Sequence, residues 1–242
     1  MRFSQCVLKN RRDDGRVTTT SDASGVQLAR DSYSAFGRVV RALDEDQSWT
    51  GTACQGWAVR DLTHHCLVDA QRALVALHSP SSRPADRDAV SYWRDWAPNG
   101  QGAAQGRRFS RVGASMFLNW GQLRDLYLET AAAVIDAAVS TSAQNAVGTQ
   151  GHVLTADDLM RTLCVEATIH HLDLVVDLPG RAGPAASALG EVRRVLDGLV
   201  GQQVATGWAD ERYARVATGR VRLTAEEASE LGPLAHRFPL FC

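Results

Sequence analysis

Four stretches of this chain repeat their apolar residues at three- and four-residue steps, and that periodicity constrains the fold more than any other feature. Val26–Leu43 carries Leu28, Phe36, Val39, Val40 and Leu43. Trp57–His78 carries Val59, Leu62, Cys66, Ala70, Ala73 and Leu77. Ala114–Val139 carries Met116, Trp120, Leu123, Tyr127, Thr130 and Val134 along one seam. A fourth stretch opens at Thr155, with Asp158 placed to complete a capping box, and runs to Leu178, where Pro179-Gly180 stops it. A step of 3.6 residues places such positions on one helical face, and four such faces bury each other as a bundle. No βαβ alternation, phosphate-binding glycine motif or internal repeat interrupts the pattern.

Around these helices the chain reads as connections and a tail. Residues 1–24 are polar, charged and without period, so a flexible N-terminal arm is expected. Asp44–Gly56 and Ser140–Val153 read as loops. Residues 88–112 read as irregular, with Tyr92, Trp93 and Trp96 followed by a flexible Gly/Gln-rich segment from Asn99 to Gly106. After the bundle of 25–180, residues 181–242 are expected to pack on it as a small, mostly helical extension. Pro184 opens a fifth helix to Val204, Tyr213–Thr218 forms a short strand or helix, and Thr224 caps a short helix to Leu231.

Composition excludes several roles. A formal net charge of −1 argues against nucleic acid or an anionic membrane as partner. No apolar run reaches the roughly 18–20 residues of a membrane span, and no apolar stretch follows the charged N-terminus as a secretory signal requires. Five cysteines, with no CxxC pair, suit a reducing compartment. The expectation is a soluble cytoplasmic protein, monomer or homodimer, acting on a small molecule.

The candidate chemistry is metal binding. Glu166 and His170 are four apart on the fourth helix, so their side chains share a face one turn apart. A carboxylate and an imidazole at this spacing suit Zn²⁺ or another first-row divalent ion, and a solvated surface pair is the alternative. The surrounding helix is apolar, which makes a buried, unpaired Glu166 costly. Asp173, about one turn past His170, could orient that imidazole through its other ring nitrogen, or be a plain surface acid. On the second helix His65 borders the apolar stripe, in line with Asp61, Asp69 and Arg72, which together could equally form a solvated polar face. His64 and His171 point about 100° from their neighbours, so one member of each doubled histidine can face a site.

Two segments carry a resemblance. Cys54-Gln-Gly-Trp57-Ala-Val-Arg-Asp61-Leu-Thr-His-His65 resembles the Gly-Trp, Asp-Leu, His signature of the DinB-like superfamily, and is most similar to the N-terminal domain of mycothiol-dependent maleylpyruvate isomerases. Glu166-Ala-Thr-Ile-His170-His-Leu-Asp173-Leu resembles the second signature of that family. The resemblance covers Val26 to Leu178. It implies an all-α, DinB-like up-and-down four-helix bundle in which His65, Glu166 and His170 bind a divalent metal, most simply zinc, with mycothiol or another low-molecular-weight thiol as cosubstrate. It further implies a metal-dependent isomerase or thiol S-transferase, in which the ion activates the thiol for attack on an electrophile. Alternatives on the same scaffold are a metal-dependent enzyme that uses no thiol and a non-catalytic metal-binding module. Ala58 departs from the Ser or Thr that caps this helix in relatives. Ala217-Thr-Gly-Arg220 and the following Leu-Thr-Ala-Glu resemble a stretch found in many relatives, which makes Arg220 a candidate thiol- or substrate-binding residue, with a structural ion pair as the alternative. Trp93 and Trp96 could wall a substrate pocket. Trp57 and Trp120 read as core, and Cys66 and Cys164 as buried apolar fillers.

Overall fold

The computed structural model describes residues 23–95, 101–204 and 206–241. Residues 1–22 of the expected N-terminal arm, Trp96, Asn99, Cys6 and Cys242 lie outside the described residues.

Four helices form an all-α bundle: α1 (Gly25–Arg41), α2 (Val59–Leu77), α4 (Trp120–Ser140) and α5 (Ala156–Leu174), with α3 (Gln101–Ser115) laid against α2. In the bundle α1 packs on α4 and α5, and α2 packs on α4 and α5. The apolar stripes meet in one core that includes Phe36, Leu62, Leu67, Leu123, Tyr127 and Met160. The caps follow from side-chain chemistry. Ser24, Asn119 and Thr155 each accept a hydrogen bond from a backbone N–H in the first turn of α1, α4 and α5. Ala58 cannot do this for α2, but the Asp61 carboxylate accepts from the Ala58 N–H and so anchors the helix start from the other side.

Helix α5 is buried nearly all round because it serves two cores. Leu159, Met160, Leu163 and Ala167 face the bundle. Val165, Ile169 and Leu172 face a second cluster built from α6 (Ala186–Val200), α7 (Asp210–Ala217), Trp93, Leu231 and Phe241. A further short helix, α8 (Ala225–Leu231), is closed by a Thr224/Glu227 capping box.

Three expectations need correction. Residues 101–106 of the Gly/Gln-rich segment lie in α3, and the expected third helix is broken. Met116 and Leu118 lie in the turn between α3 and α4, 78% and 89% exposed, so Met116 is not on the seam. Asn119, whose side chain caps α4, is what ends the turn. The expected loop 140–153 contains a hairpin, β1 (Ala146–Thr149) antiparallel to β2 (His152–Thr155). Gln150 and Gly151 both have positive φ, 47° and 86°, which is the two-residue turn that matches strand twist. Residues 213–217 are helical, resolving that alternative in favour of α7.

Candidate metal centre

Helices α2 and α5 bring three side chains together. His65 Nε2, Glu166 Oε1 and His170 Nε2 converge, with His65 to Glu166 at 3.0 Å and Glu166 to His170 at 3.3 Å. A single ligand atom from each lies within 4.8 Å of the others. One turn of α5 separates Glu166 from His170, and His65 meets them across the helix interface. The two rings stand edge to face, with centroids 4.7 Å apart.

The free nitrogen of His170 is fixed by a relay. His170 Nδ1 donates to Asp173 Oδ2 at 3.0 Å, and Arg220 donates to both Asp173 oxygens, at 3.0 and 2.8 Å. Asp173 is 1% exposed, so its charge depends on these partners. Burial opposes ionisation, yet the hydrogen bonds from His170 and Arg220 hold its carboxyl far below the ordinary range. Glu166 behaves alike. Burial raises it, but hydrogen bonds from His170 and His65 win and keep it ionised. In the metal-free protein His170 is the converse case: burial disfavours its cation, and Asp173, Cys54 and Glu166 more than compensate.

The donor set fits a first-row divalent ion. Two imidazole nitrogens and one carboxylate oxygen are the ligand types of catalytic zinc sites, and they leave positions open. With Nδ1 of His170 committed as a donor to Asp173, its Nε2 lone pair faces Glu166 Oε1. Two acceptors in that arrangement require a proton or a cation between them.

Other residues complete the surroundings. Trp57, 7% exposed, packs its ring beside both histidines, 5.3 Å from His65 and 6.5 Å from His170, and its Nε1 donates to the Arg107 carbonyl. It is core and site wall at once. Asp69 Oδ2 lies 3.3 Å from His65 Nε2. Cys54 Sγ lies 3.3 Å from Asp173 Oδ2 and 3.8 Å from His170 Nδ1. Cys54, His170 and Asp173 therefore form a second group of close ligand atoms, but Arg220 already occupies both Asp173 oxygens, and a guanidinium there repels a cation. The Tyr92 phenol is near enough for Glu166 and Asp69 to add to burial in holding it protonated.

Of the residues singled out by sequence, His65, Glu166, His170, Asp173 and Arg220 are brought together. Trp93 is placed elsewhere: it is buried in the second core, its ring stacked on Phe241 at 5.2 Å. Trp96 lies outside the described residues. Cys66 and Cys164 are buried and free, as fillers. His64 turns away toward Phe109 and Phe117, and His171 donates through Nε2 to the Ala182 carbonyl. Sequence reasoning missed Asp69 and Cys54 as site neighbours. For Asp69 a signal existed, the four-residue step from His65, but solvated polar faces give the same step.

Residues 29–175 match the family described as the mycothiol maleylpyruvate isomerase N-terminal domain. Two solved structures share the fold: the mycothiol-dependent maleylpyruvate isomerase, at 21% sequence identity, and a single-residue mutant of it, at 20%. Each gives a TM-score of 0.51 and covers 77% of this chain and 70% of that one. No curated protein sequence matches the chain. No helix among the described residues is long and apolar enough to cross a membrane.

Proposed function

The chain belongs to the mycothiol maleylpyruvate isomerase N-terminal domain family, and from that premise we propose that it is a metal-dependent enzyme using a low-molecular-weight thiol, of the mycothiol type, to attack an electrophilic small molecule and either isomerise it or transfer the thiol sulfur to it. The observation that carries this reading is the convergence of His65, Glu166 and His170 with Asp173 locking the His170 tautomer. A divalent ion held there would lower the pKa of an incoming thiol and supply thiolate at neutral pH.

The protein's own residues would do the rest. Glu166 provides the negative charge and His65 and His170 the neutral donors. Asp173 and Arg220 keep His170 aimed, so that the ligand geometry exists before any thiol arrives. Trp57 closes one side of the site and keeps water from it. For an alkene conjugated to a carbonyl, reversible addition of the thiolate sulfur to carbon turns the double bond into a single bond. Rotation and loss of the thiolate then complete an isomerisation with the thiol regenerated.

The test is turnover of maleylpyruvate, and of a panel of electrophilic small molecules, with mycothiol or another small thiol. The reading expects activity that needs both metal and thiol and that disappears in His65→Ala with helicity retained. Full activity in metal-free His65→Ala protein, or activity indifferent to thiol, would overturn it.

A further inference from the structure

Helix α3 buries one side, with Ser110, Gly113 and Ala114, and packs on α2. Phe109, Val112 and Met116 step by three and four along a different side, so they form one stripe. The turn into α4 extends it with Leu118. All four side chains are more than half exposed. Large apolar residues scattered singly over a surface need no explanation, but a run of them marks a surface that a partner covers. Arg108 and Arg111 flank the stripe, and both are exposed. Neither has a hydrogen-bonding or ion-pair partner for its side chain among the described residues.

Helix α4 presents the opposite sign. Asp125, Glu129, Ala132 and Asp136 recur at steps of four, three and four on its outward face, and all are exposed. Leu126 and Val139 are exposed on the same helix. Asp125 pairs with its neighbour Arg124. Glu129 and Asp136 have no ion-pair partner among the described residues. A basic, apolar face and an acidic, apolar face therefore stand on consecutive helices, both packed on α2, and are not matched to each other within the chain. A polyanion would satisfy Arg108 and Arg111 but would be repelled by the α4 carboxylates. A second copy of this chain satisfies both faces at once.

We propose that the outward faces of α3 and α4 form the interface of a homodimer, in which α3 of each copy lies against α4 of the other. Two-fold symmetry repeats every contact and closes the assembly at two chains. Phe109, Val112, Met116 and Leu118 supply the apolar centre, against Leu126, Ala132 and Val139 of the other copy. Arg108 and Arg111 meet Glu129 and Asp136 at its edge and set the register. The turn carrying Met116 and Leu118 joins the two helices, which places it close to the two-fold axis.

The test is sedimentation equilibrium of the purified full-length chain up to about 100 µM, which needs neither metal nor substrate. Wild type is compared with Arg108→Glu/Arg111→Glu, with Glu129→Arg/Asp136→Arg and with the four substitutions combined, each checked for native helicity by circular dichroism. Wild type should show twice the mass of one chain. Each charge reversal should raise the dissociation constant by about 100-fold or more, and the combination should restore most of the loss, because the signs match again. Met116→Gln/Leu118→Gln, in the exposed turn, should weaken the dimer without altering charge, and it carries the test if a reversed chain loses helicity. A wild type of single-chain mass at the highest concentration overturns the proposal. So does a dimer that neither reversal nor the turn variant weakens, or a combined variant that recovers nothing.

Discussion

Replacing Arg220 with Met probes the relay behind the site without touching a proposed ligand. Asp173 is 1% exposed and takes two hydrogen bonds from the Arg220 guanidinium, at 3.0 and 2.8 Å, beside the one from His170 at 3.0 Å. Removing one partner of a buried pair leaves an uncompensated charge, at about 3–5 kcal/mol. The Arg220 side chain is 18% exposed, and His170 and Cys54 still face Asp173, so the lower end applies, about 3 kcal/mol. For a chain of this length that lowers Tm by about 6–12 °C. The assay is urea unfolding of metal-free protein at neutral pH for wild type, Arg220→Met, Asp173→Asn and the double variant. The double variant should be more stable than the sum of the singles by about 2 kcal/mol. A loss below about 1 kcal/mol in Arg220→Met would mean the pair behaves as a solvated surface bridge, and the relay argument would fall.

Three further outcomes follow from the packing and electrostatics. A Cβ on Gly113 would clash with the His64 ring, so Gly113→Ala should cost about 1–3 kcal/mol by overpacking, and His64→Ala in the same chain should recover part of it in thermal melts. Burial pushes His171 down to about 4 from its ordinary value near 6.5. The unfolded chain therefore takes up a proton that the folded one refuses between those values. Stability present above pH 6.5 falls by about 3 kcal/mol as pH drops to 4, a slope that His171→Gln should flatten in metal-free protein. Burial also pushes the Cys164 thiol up to about 12 and Cys66 higher still, so in a chain with Cys6 and Cys242 replaced by Ser, iodoacetamide at pH 8 should label Cys54 alone by mass spectrometry.

The bundle was legible because its information is local. Apolar steps of three and four mark α1, α2, α4 and α5, and Thr155 and Pro179 punctuate the last of them. The Glu166/His170 pair is also local, since both residues lie on one helix. Pairing them with His65 needed the resemblance, because nothing in the spacing of α2 says which neighbour it faces. Helix α3 was hidden by Gly102, Gly106 and Gly113, which weaken intrinsic helix preference. Its packing on α2, with Gly113 admitting His64, overrides that preference. The 146–155 hairpin was hidden by its length, four residues a strand. Cys54 and Arg220 reach the site from a preceding loop and from beyond α7. Such proximities belong to the tertiary fold and have no sequence period.

Elemental analysis of purified wild type beside Glu166→Ala, after reconstitution with zinc, tests the central claim most directly. The account predicts about one equivalent of divalent metal in wild type and its loss in a Glu166→Ala protein of unchanged helicity. Well-folded wild type that retains no metal, or a Glu166→Ala protein that retains it fully, would contradict the assignment of His65, Glu166 and His170 as a metal centre.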